Sequence, residues 1–189
     1  MSNNLISLEF YKQIKKINST TEDAAISSII SSVSDYVKTY LGRTLNAYLT
    51  TPKVEYFKGD KAKYYLSEFP VISINSVELF EGNSYTPLVT DEDYYLDEEL
   101  DAICTVSSKA FSNIPYNNRI KITYLGGYNS IPGEIALAVV DLVTYYHKSE
   151  YVQNKQVGGT DSIQLAIPEY KLPKHITRVL EMYRQGFAF

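Results

Sequence analysis

The chain has 189 residues, 44% hydrophobic and 21% charged, with a net charge of −4 at pH 7. This is an ordinary globular composition for one domain, and it lacks the concentrated basic face that tight DNA binding needs. No apolar run is long enough to span a bilayer and the N-terminus lacks a signal-peptide core. The expectation is a protein made in the cytoplasm, without a membrane segment. The single Cys104 excludes an intramolecular disulfide framework and argues against a cysteine-based zinc site. Eighteen Tyr and seven Phe stand beside no Trp. Such a tyrosine content fits protein–protein contacts and strand-rich cores equally well.

In chain order, residues 1–20 are polar, with Leu5, Leu8, Ile14 and Ile17 as anchors and a short helix from Leu8 to Lys16. Thr20 or Thr21 is the expected N-cap of a long helix over 22–41, with Glu22 and Asp23 in its first turn. Ile26, Ile29, Ile30, Val33, Val37 and Tyr40 follow helical spacing, and Gly42 supplies the stop.

From Pro52 to Tyr124 the pattern turns to strands. Val54–Phe57 and Tyr64–Leu66 flank a Gly59-Asp60 turn and read as a hairpin. Val71–Ile74 and Val77–Phe80 follow, then a Gly82-Asn83 turn. Tyr94–Leu96 and Ile103–Val106 flank an acidic turn, and Arg119–Leu125 closes the set. Ile120, Ile122 and Tyr124 alternate with polar neighbours, as on a half-buried strand. Gly126-Gly127 then calls for positive φ or close backbone approach.

Pro132 is placed in the first turn of a helix over 133–149, with Glu134 at the positive end of its dipole. This helix is apolar nearly all round, leaving only a stripe of Glu134, Asp141, Thr144 and Lys148. A neighbouring subunit is expected to supply part of its cover, with Ile135, Val139, Leu142 and Tyr146 at that contact; the alternative is that it is simply the central helix of a monomeric core. Residues 150–171 read as an extended arm in which Ile163, Leu165 and Ile167 alternate, suited to a neighbour's sheet edge or subunit contact. A last helix over 173–185 carries Ile176, Val179, Leu180 and Tyr183, and 186–189 form a tail with Phe187 and Phe189. The fold class is α+β: a helical body with a small antiparallel sheet or barrel inserted over about 52–125. The whole is read as one domain whose strand-rich insertion is 52–118.

No catalytic constellation emerges. His147 and His175 each lie near a helix end beside lysine, Cys104 has no base cued by the sequence, and neither glycine pair has the spacing of a phosphate loop. The cluster Asp91, Glu92, Asp93, Asp97, Glu98, Glu99 and Asp101 mimics part of a calcium loop. However, Tyr95 stands where an oxygen ligand is wanted and Leu96 where glycine is needed. A solvated hairpin loop is the default reading. In a ring, Asp91, Asp93, Asp97, Glu98 and Glu99 could instead line a channel and repel DNA phosphates. No metal or other cofactor is expected.

The order of parts carries a resemblance. Leu41-Gly42-Arg43 ends the first long helix, and Phe69-Pro70-Val71 falls within the insertion. ITYLGGY at 122–128 leads to Ile131-Pro132 and a helix ending in Tyr145-Tyr146, and Leu172-Pro173 precedes VLEMYR at 179–184. Over roughly residues 5–185 this resembles the head–tail connector family of tailed bacteriophages, also called adaptor or head-completion proteins. The resemblance implies a virion neck protein that binds below the portal protein as a ring, usually of twelve copies. It would extend the DNA channel without sequence-specific binding and present a platform to the next neck or tail-completion component. It also implies that the two long helices form the ring body, and that Tyr183, Arg184, Phe187 and Phe189 reach the portal. Three rival readings are another phage neck or tail-completion ring, a carbohydrate- or surface-binding β module and, last, an enzyme of unknown type.

Overall fold

The computed structural model describes residues 4–107, 118–148 and 172–184. The chain divides into two compact units, residues 1–42 with 131–189 and residues 43–130. The strand-bearing unit is thus wider than the 52–118 read from the sequence.

The helical unit starts with α1 (Leu8–Lys15), capped by the Ser7 hydroxyl, which accepts from the Phe10 N–H at 3.1 Å. Then comes α2 (Asp23–Leu41), ended by Gly42 at φ 70°. Its N-cap is Glu22, with no side-chain hydrogen bond, and not Thr20 or Thr21. The Thr21 hydroxyl is instead engaged with Ser19 at 3.0 Å, and the Thr20 carbonyl accepts from the Asp23 N–H. The third helix, α3 (Gly133–His147), has Pro132 at its N-cap, one position before the first turn. The last, α4 (Lys174–Tyr183), likewise starts after Pro173.

Ile26, Ile30, Val33 and Val37 of α2, Ile176 and Leu180 of α4, and eight residues of α3 are buried. Thr144, placed on the polar stripe by its spacing, is one of those eight. Its hydroxyl donates to the Val140 carbonyl at 2.7 Å and lies 3.3 Å from the buried Tyr11 hydroxyl of α1. A hydroxyl satisfied in this way tolerates burial.

The strand unit holds β1 (Lys53–Phe57), β2 (Lys63–Tyr65), β3 (Val71–Glu81), β4 (Ser84–Pro87), β5 (Tyr94–Asp97), β6 (Ala102–Thr105) and β7 (Ile120–Gly126). They form two antiparallel sheets, ordered β1-β7-β3-β4 and β2-β6-β5. The expected hairpin of β1 with β2 does not form. Residues 58–62 carry the chain from one sheet to the other, and β2 pairs with β6, where Tyr64 lies opposite Ile103. The two segments read after Pro70 are a single strand, β3, with register shifts near Ser73 and Ser76 that re-aim its side chains. Tyr64, Leu66, Tyr94 and Ile103 from one sheet share a core with Val77, Leu79, Ile120, Ile122 and Tyr124 from the other.

Candidate interface surfaces and the buried clasp

The residues that carried the resemblance in the strand unit meet at one place. Arg43 is 3% exposed, its guanidinium 3.3 Å from the Phe69 ring centroid and 5.3 Å from that of Tyr128. It donates to the Phe69 carbonyl. Burial pushes this guanidinium below its ordinary value, while Tyr128, Glu68 and Asp101 oppose that. Beside it the buried Glu68 carboxylate accepts from the N–H groups of Thr44 at 2.7 Å and Leu45 at 3.2 Å. Leu45 sits at φ 72°, a conformation unfavourable for a side chain with Cβ, so these bonds hold a strained turn.

Gly126 and Gly127 make the closure possible. A Cβ on Gly126 would lie 2.5 Å from the Glu68 carbonyl oxygen, and one on Gly127, at φ 112°, 2.6 Å from that of Leu45. The pair therefore meets both demands read from the sequence, close approach at each glycine and positive φ at the second. Gly127 N–H then donates to the Pro70 carbonyl at 3.0 Å and Tyr128 N–H to Leu45 at 2.6 Å.

A second polar cluster adjoins it. Lys53 Nζ lies 3.0 Å from Glu55 and 3.7 Å from Glu68, and donates to Ser67 Oγ, which in turn donates to Glu55. The Tyr124 hydroxyl donates to Glu55 at 2.7 Å and accepts from the Glu68 N–H at 3.0 Å. Burial, then the Glu55 charge, pushes this phenol far above its ordinary value. A serine beside a lysine invites comparison with a nucleophile and its base. Here Lys53 donates to the serine and is ion-paired to Glu55 and Glu68, and the Ser67 hydroxyl donates to Glu55, so the serine's hydrogen points to a carboxylate and not to the amine. The cluster is a clasp.

The acidic residues are divided by β5. Asp93 accepts from the Val89 N–H at 2.8 Å in the turn before it, and Asp97 from the Leu100 N–H at 3.2 Å in the turn after it. Asp101 accepts from the Val71 N–H at 2.7 Å, and Asp91 and Asp101 take positive φ. These carboxylates shape turns. Among the described residues no group of three or more His, Cys, Asp or Glu side chains converges on a metal position.

One surface went unread in the sequence. Register places Tyr56, Lys121 and Glu78 on one face of the larger sheet, with Phe80 opposite Tyr85 on that same face. Lys121 pairs with Glu78 at 3.0 Å, and the Tyr56–Tyr85 and Phe80–Tyr85 rings lie 6.4 and 5.1 Å apart. Bonds from Ser76 and Lys121 hold the Glu78 carboxyl below its ordinary value. The alternation of Val54 and Tyr56 was the available signal, but only the pairing shows which side faces the core.

In the helical unit, Ile135, Val139 and Leu142 are fully buried, within a unit whose α2 and α4 pack against α3. The cover assigned to a neighbouring subunit thus comes from the chain itself, because α4 packs where the sequence left α3 without a partner. Exposed apolar surface remains at Leu137, Tyr146, Tyr36 and Met182. Tyr183 donates to Glu134 at 2.9 Å, and Arg184 lies 3.4 Å from Glu181, which also accepts from Tyr40 at 2.5 Å. Tyr183 and Arg184, two of the four residues expected at the portal, are thus engaged within their own unit. His147 faces Glu22 at 3.3 Å and His175 faces Asp141 at 3.7 Å, each at a helix end. Ile163, Leu165, Ile167, Phe187 and Phe189 lie outside the described residues.

Known proteins now bear on these surfaces. The family model of head completion proteins matches residues 4–186. The chain belongs to the head completion protein family. A head completion protein of Escherichia phage T5 is 33% identical over 60 residues, 32% of this chain and 35% of that protein. The alignment thus spans about a third of the T5 family member's length. Two solved structures have a similar fold. The neck of an empty GTA particle computed with C6 symmetry matches at TM-score 0.59 and 15% identity, over 98% of this chain and 92% of that one. The neck of a native GTA particle computed with C12 symmetry matches at 0.54 and 18%, over 100% and 97%. Among the described residues, no helix is long and apolar enough to cross a membrane.

Proposed function

We propose that this chain is a structural neck protein of a phage virion. It binds beneath the portal as a ring of twelve copies, extends the DNA channel and carries the next neck or tail-completion component. The observation that carries the reading is the family match across nearly the whole chain, residues 4–186. Likeness in fold to necks solved with C6 and C12 symmetry supports the ring. We read the chain as a structural part that acts without catalysis or cofactor, as the family match suggests.

In this reading, assembly takes place in the host cytoplasm at the portal vertex. Phe187 and Phe189 dock the portal, while Tyr183 and Arg184 anchor the helix that presents them. The two acidic turns, with Asp91 and Asp93 in one and Asp97, Glu98 and Glu99 in the other, face passing DNA and keep it from adhering. Weak lateral contacts repeated around the ring and reinforced by the portal confine assembly to the place where it is needed. Native mass spectrometry of the protein, alone and mixed with portal from the same phage, tests this. A monomer that joins the portal at one copy per portal subunit is expected. A strict monomer that ignores the portal would overturn the reading.

A further inference from the structure

The groove that α4 occupies runs on beyond the start of α4. Tyr183 at the end of α4 bonds Glu134 at the start of α3, and His175 at its beginning meets Asp141, so the two helices are antiparallel. Ten residues cover only about 15 Å. On α2, Glu181 of α4 reaches Tyr40, and one turn further Tyr36 stacks on Tyr40 with ring centroids 6.5 Å apart. There Ser28, Ile29, Ser32, Val33, Tyr36 and Tyr146 line a hollow of about 330 Å³. Tyr36 and Tyr146 are 43% and 41% exposed. The two exposed tyrosines, set beside Ile29 and Val33, are the residues that protein contacts favour.

The chain supplies an occupant of matching chemistry. From Asp141 to Lys148 is about 10 Å of helix, so a few extended residues would join the end of α3 to the start of α4. The sequence places residues 149–171 there, several times the length such a bridge requires at about 3.3 Å per residue. Within that surplus Ile163, Leu165 and Ile167 alternate with Ser162, Gln164 and Ala166, the pattern of an extended segment with one apolar edge. Pro168 biases Ile167 towards extended backbone. Ile163 to Ile167 stand nine to five residues from Leu172, a reach of about 17–30 Å. That exceeds the diameter of a helix with its side chains, about 10–12 Å, and allows the segment to leave its own helices.

A ring closes through heterologous contacts, in which a feature of one subunit meets a different feature of the next. We propose that residues 163–167 of one subunit seat in the Ser32–Tyr36–Tyr146 groove of the adjacent copy. The inference rests on the ring reading above and names its lateral contact.

The test mixes two chains that each carry one added cysteine, Ser32→Cys and Leu165→Cys, assembles them with portal from the same phage, and adds an oxidant. Native Cys104 is buried, and burial pushes its thiol up, so it does not compete. Disulfide-linked dimers that appear only in assembled rings are expected. Rings that form without cross-linked dimers would overturn the groove contact and leave the ring standing, whereas absence of any ring would overturn both. A doubly substituted chain that closes its own disulfide inside the ring would also overturn it, because the arm then lies in its own groove. If cysteine at either position prevents folding, Leu165→Asp should lower the ring fraction at least tenfold while Gln164→Asp leaves it unchanged. Equal behaviour of those two variants would refute the contact.

Discussion

The strand unit and the helical unit are held together by opposite means. The strand unit gathers polar groups beside a strained turn at Leu45: buried Arg43 and Glu68, part-buried Lys53 and Glu55, and the Tyr124 hydroxyl. The helical unit buries aliphatic side chains from α2, α3 and α4 and keeps most of its charged pairs, such as His175–Asp141 and Arg184–Glu181, at its surface. Removing one member of a buried polar cluster leaves its partners unpaired, whereas apolar packing loses stability in proportion to what is cut away. The difference separates architecture from contact. Arg43, Phe69 and the 126–128 turn carry the family resemblance and close a fold, whereas the helical unit keeps apolar side chains such as Leu137, Tyr36 and Met182 at its surface.

The sharpest break is expected at Gly127→Ala. It adds a Cβ 2.6 Å from the Leu45 carbonyl oxygen at a φ of 112°. Overpacking combined with an unfavourable backbone should cost about 4 kcal/mol, read as a lower denaturant midpoint with unchanged slope. Leu137→Ala, on the exposed face of α3, should move the midpoint little by comparison. Next comes Glu68→Ala, which orphans the Thr44 and Leu45 N–H groups and leaves Lys53 with one carboxylate. A loss of about 3 kcal/mol is expected. A Glu68→Ala variant as stable as the parent would show that the clasp is ornamental. Tyr124→Phe keeps the ring in the core but removes the hydroxyl between Glu55 and the Glu68 N–H, and should cost about 1–2 kcal/mol by the same measurement.

Much of the fold was legible because local rules and tertiary packing agreed. The helix over 22–41 carried its own period and its glycine stop, and β7 alternated cleanly with a glycine pair behind it. Where the two disagreed, the sequence misled. Val54–Phe57 and Tyr64–Leu66 look like a hairpin because a Gly-Asp turn lies between them, yet register is decided by which strand covers Tyr64, and that is Ile103 from β6. Ile135, Val139 and Leu142 looked uncovered because nothing in α3 announces that α4 returns over it. The clasp was read only as separate motifs, since no periodicity links Arg43 to Phe69 and Tyr128. Three-dimensional closure alone makes them one object.

The mildest change marks the boundary between the two kinds of surface. Tyr183→Phe removes an exposed hydrogen bond to Glu134 and should leave the denaturant midpoint within the error of the measurement. Deleting residues 186–189 should leave the stability of both units unmoved, because α4 is already anchored through Ile176, Leu180 and Tyr183. If the tail is the docking element, that deletion abolishes joining to the portal while circular dichroism and the denaturant midpoint stay those of the parent. If instead Tyr183 and Arg184 make the contact, the deletion binds normally and Tyr183→Phe with Arg184→Ala does not. Co-sedimentation of each variant with portal separates the two.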